Sequence, residues 1–422
     1  MNEEFLYYLW KFRLFKQDIK TSTDEEIRII SPGVRNCDSG PDFINARVRI
    51  GNTLWAGNVE IHVKASDWFR HRHDTDPCYD NIILHVVYDC DAYIKRRSNE
   101  IIPSFEVKEC FDISLLSRYE QFISSMLWVP CENMIKDVDA QYLNIWMERL
   151  IVERLERKSE EVEKVLRDVN GDWEQAFFQL LARSFGFNVN SYPFELLAKS
   201  IPLKLLAKHC DELFQIEALL FGQAGFLNTE FKDEYPRKLK AEYNYLLKKY
   251  SLNIGDRFLW KFLRLRPSNF PTVRIAQLSK LVYNSPTLFT SILESLNLSM
   301  IFKLFDVKPS SYWDTHYRFD CGSSKKQKKI GKDALRLFII NTVVPALFYY
   351  GKLNDISMYS DRALDFLSHL KPEKNAVIKR WEKHGINPDS ASQSQALLEL
   401  KTQYCDHKKC LLCGVGNYLI RQ

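Results

Sequence analysis

The spacing of apolar residues changes once along the chain, near Asp112, and this restricts the fold more than any other feature. Upstream, β-rich runs recur at Glu26–Ile30, Phe43–Ile50, Trp55–Val63, Asn81–Tyr88 and Ile101–Val107, with Pro32-Gly33 and Gly51-Asn52 as turn signals. They predict a mostly antiparallel sheet of about five strands, preceded by an amphipathic helix over residues 2–16. Downstream, Tyr142–Leu166, Trp173–Phe185, Leu203–Phe221, Lys238–Tyr250, Val273–Tyr283 and Lys332–Tyr350 repeat their apolar residues at three and four, which predicts helices. The expected class is α+β, with a small mixed or antiparallel sheet domain over 1–135 and a mostly helical domain over 136–422. No fixed repeat links the helices, so a solenoid is not expected.

Composition narrows the function classes. The chain of 422 residues carries 59 basic and 54 acidic side chains, with 15 Gly and 15 Pro, which excludes collagenous, low-complexity and polybasic proteins. Residues 1–135 hold 16 basic and 21 acidic groups, net −5, which leaves +10 for the remainder and implies two regions of different chemistry. The longest apolar stretch, Leu335–Tyr350, is broken by Arg336, Asn341 and Pro345, so no membrane span is expected. Acidic residues stand where a secretory leader needs basic ones, so the expected location is the cytoplasm, where most of the ten cysteines would be reduced.

Chemistry enters around residue 60. Strand alternation sends Val59, Ile61 and Val63 to one face and Glu60, His62 and Lys64 to the other. Asp42, in the turn Gly40-Pro41-Asp42-Phe43, precedes the neighbouring strand, so a hairpin would let the two carboxylates converge; alternatively Asp42 only caps its own turn. The loop Asp67-Trp-Phe-Arg-His-Arg-His-Asp74 follows, then His85, so four of nine histidines fall between 62 and 85. Imidazole is the commonest transition-metal ligand. His62, His71, His73 and His85 with Asp42 or Asp74 could therefore serve a Zn²⁺ or Mn²⁺ hydrolase, although His85 alone reads more simply as a core histidine.

The Pro41-Asp42 turn followed by Glu60-Ile61-His62 in a strand resembles the core of PD-(D/E)XK nucleases. The resemblance implies Mg²⁺ or Mn²⁺ held by Asp42 and Glu60, with Glu4 of the first helix, or its rival Glu3, completing the set. It also implies that His62, where a lysine would be expected, or Lys64 orients the water, while Arg70, Arg72, His71 and His73 face the phosphate. The stretch from Gly33 to Asp91 as a whole is similar to a bacterial family known as domain of unknown function 2851. The matching words are Gly40-Pro-Asp-Phe43, Gly57-Asn-Val-Glu-Ile-His62, Ser66-Asp-Trp68, His71-Arg-His73 and Leu84-His-Val-Val87. That likeness extends to Phe221-Gly-Gln-Ala-Gly225, Arg264–Pro271 and the last cysteines, and implies no activity.

Two later features complete the reading. Residues 232–280 carry twelve basic groups against four acids, interleaved with aromatics such as Tyr243, Phe258, Trp260 and Phe262. Arg264, Arg266 and Arg274 are therefore candidates for contact with DNA or RNA, against the simpler reading of a solvated helix face. Cys405, Cys410 and Cys413 form a C-x4-C-x2-C cluster suited to structural Zn²⁺, or to an iron–sulfur cluster, which the nuclease resemblance also implies; three reduced packing cysteines are the plain alternative. Its fourth ligand stays open among His407, Cys321, Cys131 and Cys37, and the metal is expected to tie the last segment to the helical domain. The expected function is metal-dependent phosphodiester hydrolysis of nucleic acid. The alternative is a non-catalytic nucleic-acid-binding or scaffold protein with a degenerate nuclease-like core. Phosphate loops and nucleophile elbows are missing.

Overall fold

A computed structural model describes residues 1–253 and 259–422. The class is α+β, with a mixed sheet followed by helices. Two compact units divide the chain: a sheet unit of residues 1–146 with 400–422, and a helical unit of 147–399. The last segment, with its three cysteines, thus belongs to the sheet unit, where a single boundary near 135 had been expected to leave it with the helices.

The sheet unit opens with α1 (Glu3–Phe12), capped by the Asn2 side chain, which accepts from Phe5 N at 3.0 Å. Strands β1 (Ile27–Ser31), β2 (Val34–Arg35), β3 (Phe43–Ile50), β4 (Thr53–Lys64), β5 (Ile82–Asp89) and β6 (Ser104–Glu106) follow, with the short helix α2 (Asp67–Arg70) between β4 and β5. The strand order is β1-β3-β4-β5-β6, and β2 also pairs with β3. β1, β2 and β4 run antiparallel to β3, whereas β4–β5 and β5–β6 are parallel.

The sheet is mixed, one of the two arrangements expected, and its parallel part has a plain cause. Residues 65–81 make a crossover longer than a hairpin turn, and a connection of a dozen or more residues returns the chain to the same end of the sheet, where a parallel strand starts. Gly57 marks where β4 and β5 approach: a Cβ there would lie 2.5 Å from Ile83 Cγ2 and 2.7 Å from Asn81 O. Phe43, Ala46, Val59, Ile61, Leu84 and Val86 are buried in the core, and α1 adds Phe5, Leu9 and Trp10. Helix α3 (Ile113–Ser124) completes this part of the unit.

The helical region comprises α4 (Ala140–Asp168), α5 (Trp173–Phe185), α6 (Phe187–Ser200), α7 (Leu203–Ala207), α8 (Leu213–Gln223), α9 (Glu234–Tyr250), α10 (Pro271–Asn284), α11 (Leu288–Glu294), α12 (Leu298–Leu304), α13 (Lys332–Phe338), α14 (Val344–Leu353), α15 (Ser357–His369), α16 (Ala376–Lys383) and α17 (Ala391–Glu399). Residues 203–221, read as one helix, are two. Gly222 sits inside α8 where the Tyr243 ring occupies the space of a Cβ, 2.1 Å away, so the glycine sets the α8–α9 approach. Gly225, at φ +73°, closes the turn after α8. The run Lys332–Leu353 is long and apolar enough to cross a membrane, and 72% of its most apolar stretch is buried inside the protein as a core helix is.

Glu217 on α8 is 1% exposed and accepts from Tyr235 OH at 2.7 Å and Ser310 Oγ at 2.8 Å. Burial pushes its carboxyl up to about 7 from an ordinary 4.5. The folded chain therefore holds this proton over pH 4.5–7 while the unfolded chain releases it, and stability is lost as pH rises through that window. Glu217→Gln should remove this slope, leaving the variant more stable than the parent at pH 8 by up to about 3 kcal/mol and equal to it near pH 4. Denaturant melts at the two pH values measure the difference.

Candidate metal centre

The alternation of β4 places Glu60 and His62 on one face, and the parallel pairing sets His85 of β5 directly beside Glu60. All three are buried: Glu60 is 4% exposed, His62 2% and His85 0%. The crossover then carries His71 and His73 back over the same face. His62 Nδ1 lies 2.8 Å from His85 Nε2, and His62 Nε2 lies 3.1 Å from His71 Nδ1. His73 Nε2 is 3.3 Å from Glu60 Oε1, and His62 Nε2 is 3.6 Å from the same oxygen. One ring nitrogen from each of His62, His71 and His73 falls within 4.8 Å of the others, a spacing that could hold a metal ion.

The local chain explains the convergence. Backbone N–H groups of His71 and His73 donate to Asp67 O and Trp68 O, and Arg72 takes φ +62°, which turns the two histidines inward as a pair. The His73 ring stacks on Tyr79 with centroids 3.8 Å apart, and Trp68 meets His73 and His85 edge-on. Asp67 fastens the loop by accepting from Lys64 N and pairing with Arg70 at 3.1 Å.

The carboxylates do converge, through the backbone. Asp42 N donates to Glu60 Oε2 at 3.1 Å, and Ile61 N donates to Asp42 Oδ2 at 3.0 Å. A bulge in β3 between Phe43 and Ala46, with Asn45 at φ +57°, turns Asp42 toward β4. The Tyr7 hydroxyl donates to Asp42 as well. Burial, and then the Glu60 charge, push the Asp42 carboxyl up to about 7. Burial, followed by His73 and His71, pushes His62 down to about 3, so its ring is neutral and keeps a lone pair. His85 is also held well below its ordinary value by burial.

Tautomers narrow the picture. His85 Nδ1 has no hydrogen-bond partner among the described residues. A His62 Nδ1–H donating to His85 Nε2 would present the His62 Nε2 lone pair to the cluster, the orientation in which a second imidazole fixes a metal-ligating one, and would leave the His85 Nδ1–H without an acceptor among the described residues. The donor set, three imidazoles and one carboxylate oxygen, fits a borderline transition dication such as Mn²⁺ or Zn²⁺, and fits Mg²⁺ poorly because Mg²⁺ demands oxygen.

Other expected residues fall elsewhere. Glu4 is exposed and faces Tyr119, whereas Glu3, one helical step away, faces His71, Asp67 and Glu60; burial raises its carboxyl. Lys64 is exposed at the end of β4 and acts on Asp91, so the strand has run past the cluster by that point. Arg70 and Arg72 are exposed beside the histidines. In the helical unit Arg264 and Arg266 are exposed, but Arg274 is 3% exposed, donates to Gln277 and Asn269, and stacks on Phe187. The helix period, not a nucleic-acid surface, explains Arg274: it stands on the inner side of α10. Phe258 lies outside the described residues. Tyr7 was missed by the sequence reading, and only its place one turn after Glu3 on an amphipathic helix signalled it.

A mixed sheet whose central strand gathers three imidazoles and a carboxylate defines an α+β protein with a candidate metal centre. The chain belongs to the family described as "Protein of unknown function (DUF2851)", which matches residues 3–376. No curated protein and no solved structure matches it.

Proposed function

We propose that the sheet unit is a metal-dependent phosphodiester hydrolase, with nucleic acid as its substrate class and a nuclease-like core around Asp42 and Glu60. The observation that carries this reading is the gathering of His62, His71 and His73 within 4.8 Å, with Glu60 Oε1 facing two of them. A dication held there supplies Lewis acidity and a hydroxide at neutral pH. Asp42, fixed by the Ile61 N–H and the Tyr7 hydroxyl, would take up the proton of a water held there. Arg70 and Arg72 offer guanidinium groups at the exposed rim, where they would hold a phosphate in register. One observation favours binding without turnover: Lys64, which strand alternation sets on the Glu60 face, is exposed at the end of the strand and acts on Asp91.

The test measures Mn²⁺ binding to the full chain and to His71→Ala/His73→Ala, together with hydrolysis of an activated phosphodiester and of single-stranded and duplex DNA and RNA. The parent should bind about one more ion per chain than the variant, and only the parent should hydrolyse. Equal metal content in the two proteins ends the metal-centre reading. Binding without cleavage of any of these substrates leaves the non-catalytic alternative.

A further inference from the structure

A second set of soft ligands lies in the sheet unit, and it does not share residues with the histidine centre. The chain leaves α3, makes a tight turn at Val129–Met134, and there buries Cys131, whose carbonyl accepts from Met134 N at 2.9 Å and Ile135 N at 3.0 Å. The C-terminal segment packs against the same stretch, with Lys408 Nζ donating to Ile123 O and the Lys401 ammonium 5.3 Å from the Trp128 ring centroid, and it carries three more thiols. A π-helical turn, Leu400–Cys405, ends on Cys405; Lys408 then takes φ +51°, and the reversal delivers Cys410 and Cys413. Helix α18 (Gly414–Arg421) starts directly after Cys413. Cys131 and Cys410 are 8% exposed and Cys413 is 6% exposed.

This knuckle is built tightly. Cys413 N donates to Lys409 O at 3.0 Å and Cys410 N to Lys408 O at 2.8 Å. A Cβ on Gly416 would stand 2.3 Å from Cys410 O, and one on Gly414 would stand 2.5 Å from the Trp146 ring, so both glycines are required where helix and loop close on each other. We infer that Cys131 joins Cys405, Cys410 and Cys413 as the fourth thiolate of a site for one thiophilic metal centre, a zinc ion or an iron–sulfur cluster.

The electrostatics agree with that geometry. Three thiols of this group are raised by burial and by their neighbours: Cys131 by Cys413 and Cys410, Cys405 by Cys413, Cys131 and Cys410, and Cys410, pushed up to about 12, by Cys413. Thiols that oppose each other's ionisation become a favourable set when a cation is placed among them, because thiolate is the ligating form. Four thiolates on a dication would leave a charge of −2, which the Lys408 ammonium, acting on Cys410, would partly offset; Lys401 acts on Cys405 but is itself paired with Asp406. His407 is exposed beside the cluster, Cys37 and Cys321 are exposed elsewhere, and none of the three is needed to complete the set.

The experiment uses the full chain carrying His71→Ala/His73→Ala, so that metal at the histidine centre does not enter the count and failure of one site is separable from failure of the other. Protein purified under reducing, anaerobic conditions is assayed for zinc, iron and acid-labile sulfide. About one zinc ion per chain identifies a zinc site, while about four irons with matching sulfide identify a cluster; either supports the four-thiolate set. Cys131→Ser should reduce the bound metal at least tenfold, as Cys410→Ser does, while Cys90→Ser, a thiol near Glu106, Asp91 and Asp89, should leave it unchanged. For zinc, Cys131→His should restore binding, since imidazole replaces one thiolate in many structural sites. A packing cysteine would show the reverse order, serine tolerated and histidine not. Absence of metal from the parent, or metal unchanged in Cys131→Ser, overturns the inference.

Discussion

Glu60→Gln should lower metal-dependent phosphodiester hydrolysis on the order of 10³-fold, equivalent to roughly 4 kcal/mol of lost transition-state stabilisation. Glutamine keeps the length of the side chain and one carbonyl oxygen, so the acceptor for Asp42 N can be retained. What disappears is the negative charge that Oε1 presents 3.3 Å from His73 and 3.6 Å from His62. The measurement is kcat/KM at saturating Mn²⁺, with the melting temperature as a control for folding. Activity within a few-fold of the parent would remove Glu60 from the chemistry and leave it a structural acceptor for the Asp42 turn.

Glu399→Ala should cost the helical unit about 3–5 kcal/mol, the range found when one partner of a buried ion pair is removed. The Glu399 side chain is 3% exposed and takes a two-pronged contact from Arg157, Nε at 2.9 Å and Nη2 at 2.6 Å, while Arg154 Nη1 reaches it at 3.4 Å. Burial holds Arg154 below its ordinary pKa. Without the carboxylate two guanidinium groups remain, one of them only 14% exposed, and neither can shed its charge near neutral pH. Denaturant unfolding should show the loss, and Glu399→Gln should recover part of it through its remaining carbonyl. A change below about 1 kcal/mol in Glu399→Ala, the level of an exposed pair, would show that solvent already satisfies the two arginines.

Local rules made much of the site legible. Alternation on a strand needs no knowledge of the rest of the molecule, so Glu60 and His62 could be set on one face from the sequence, and His71-x-His73 on the following loop announced itself by composition. The direction of β5 was less legible, because period two reads the same in both directions and only the length of the 65–81 connection favours parallel pairing. Helix phase decided between Glu3 and Glu4: the two are about 100° apart on α1, and which one turns toward β4 depends on packing of Phe5 and Leu9 rather than on the acids themselves. Cys131 had no local signature, since the thiols proposed to join it lie in a segment that returns to the sheet unit from the far end of the chain. Arg274 misled for a related reason: a basic residue near aromatics looks the same on the outer and inner side of a helix until the neighbours Asn269, Gln277 and Phe187 are placed.

The crossover that brings His71 and His73 over β4 is pinned at both ends by paired strands and held in the middle by the Tyr79 stack and the Asp67 contacts. Its loop-closure entropy is therefore spent when the sheet forms and is not charged against the ion. A cation bound at the proposed centre would meet ligands already assembled, so its affinity would be kept rather than consumed in ordering coil. The sheet should consequently stand without it, unlike a zinc finger, and exchange one ion for another while folded.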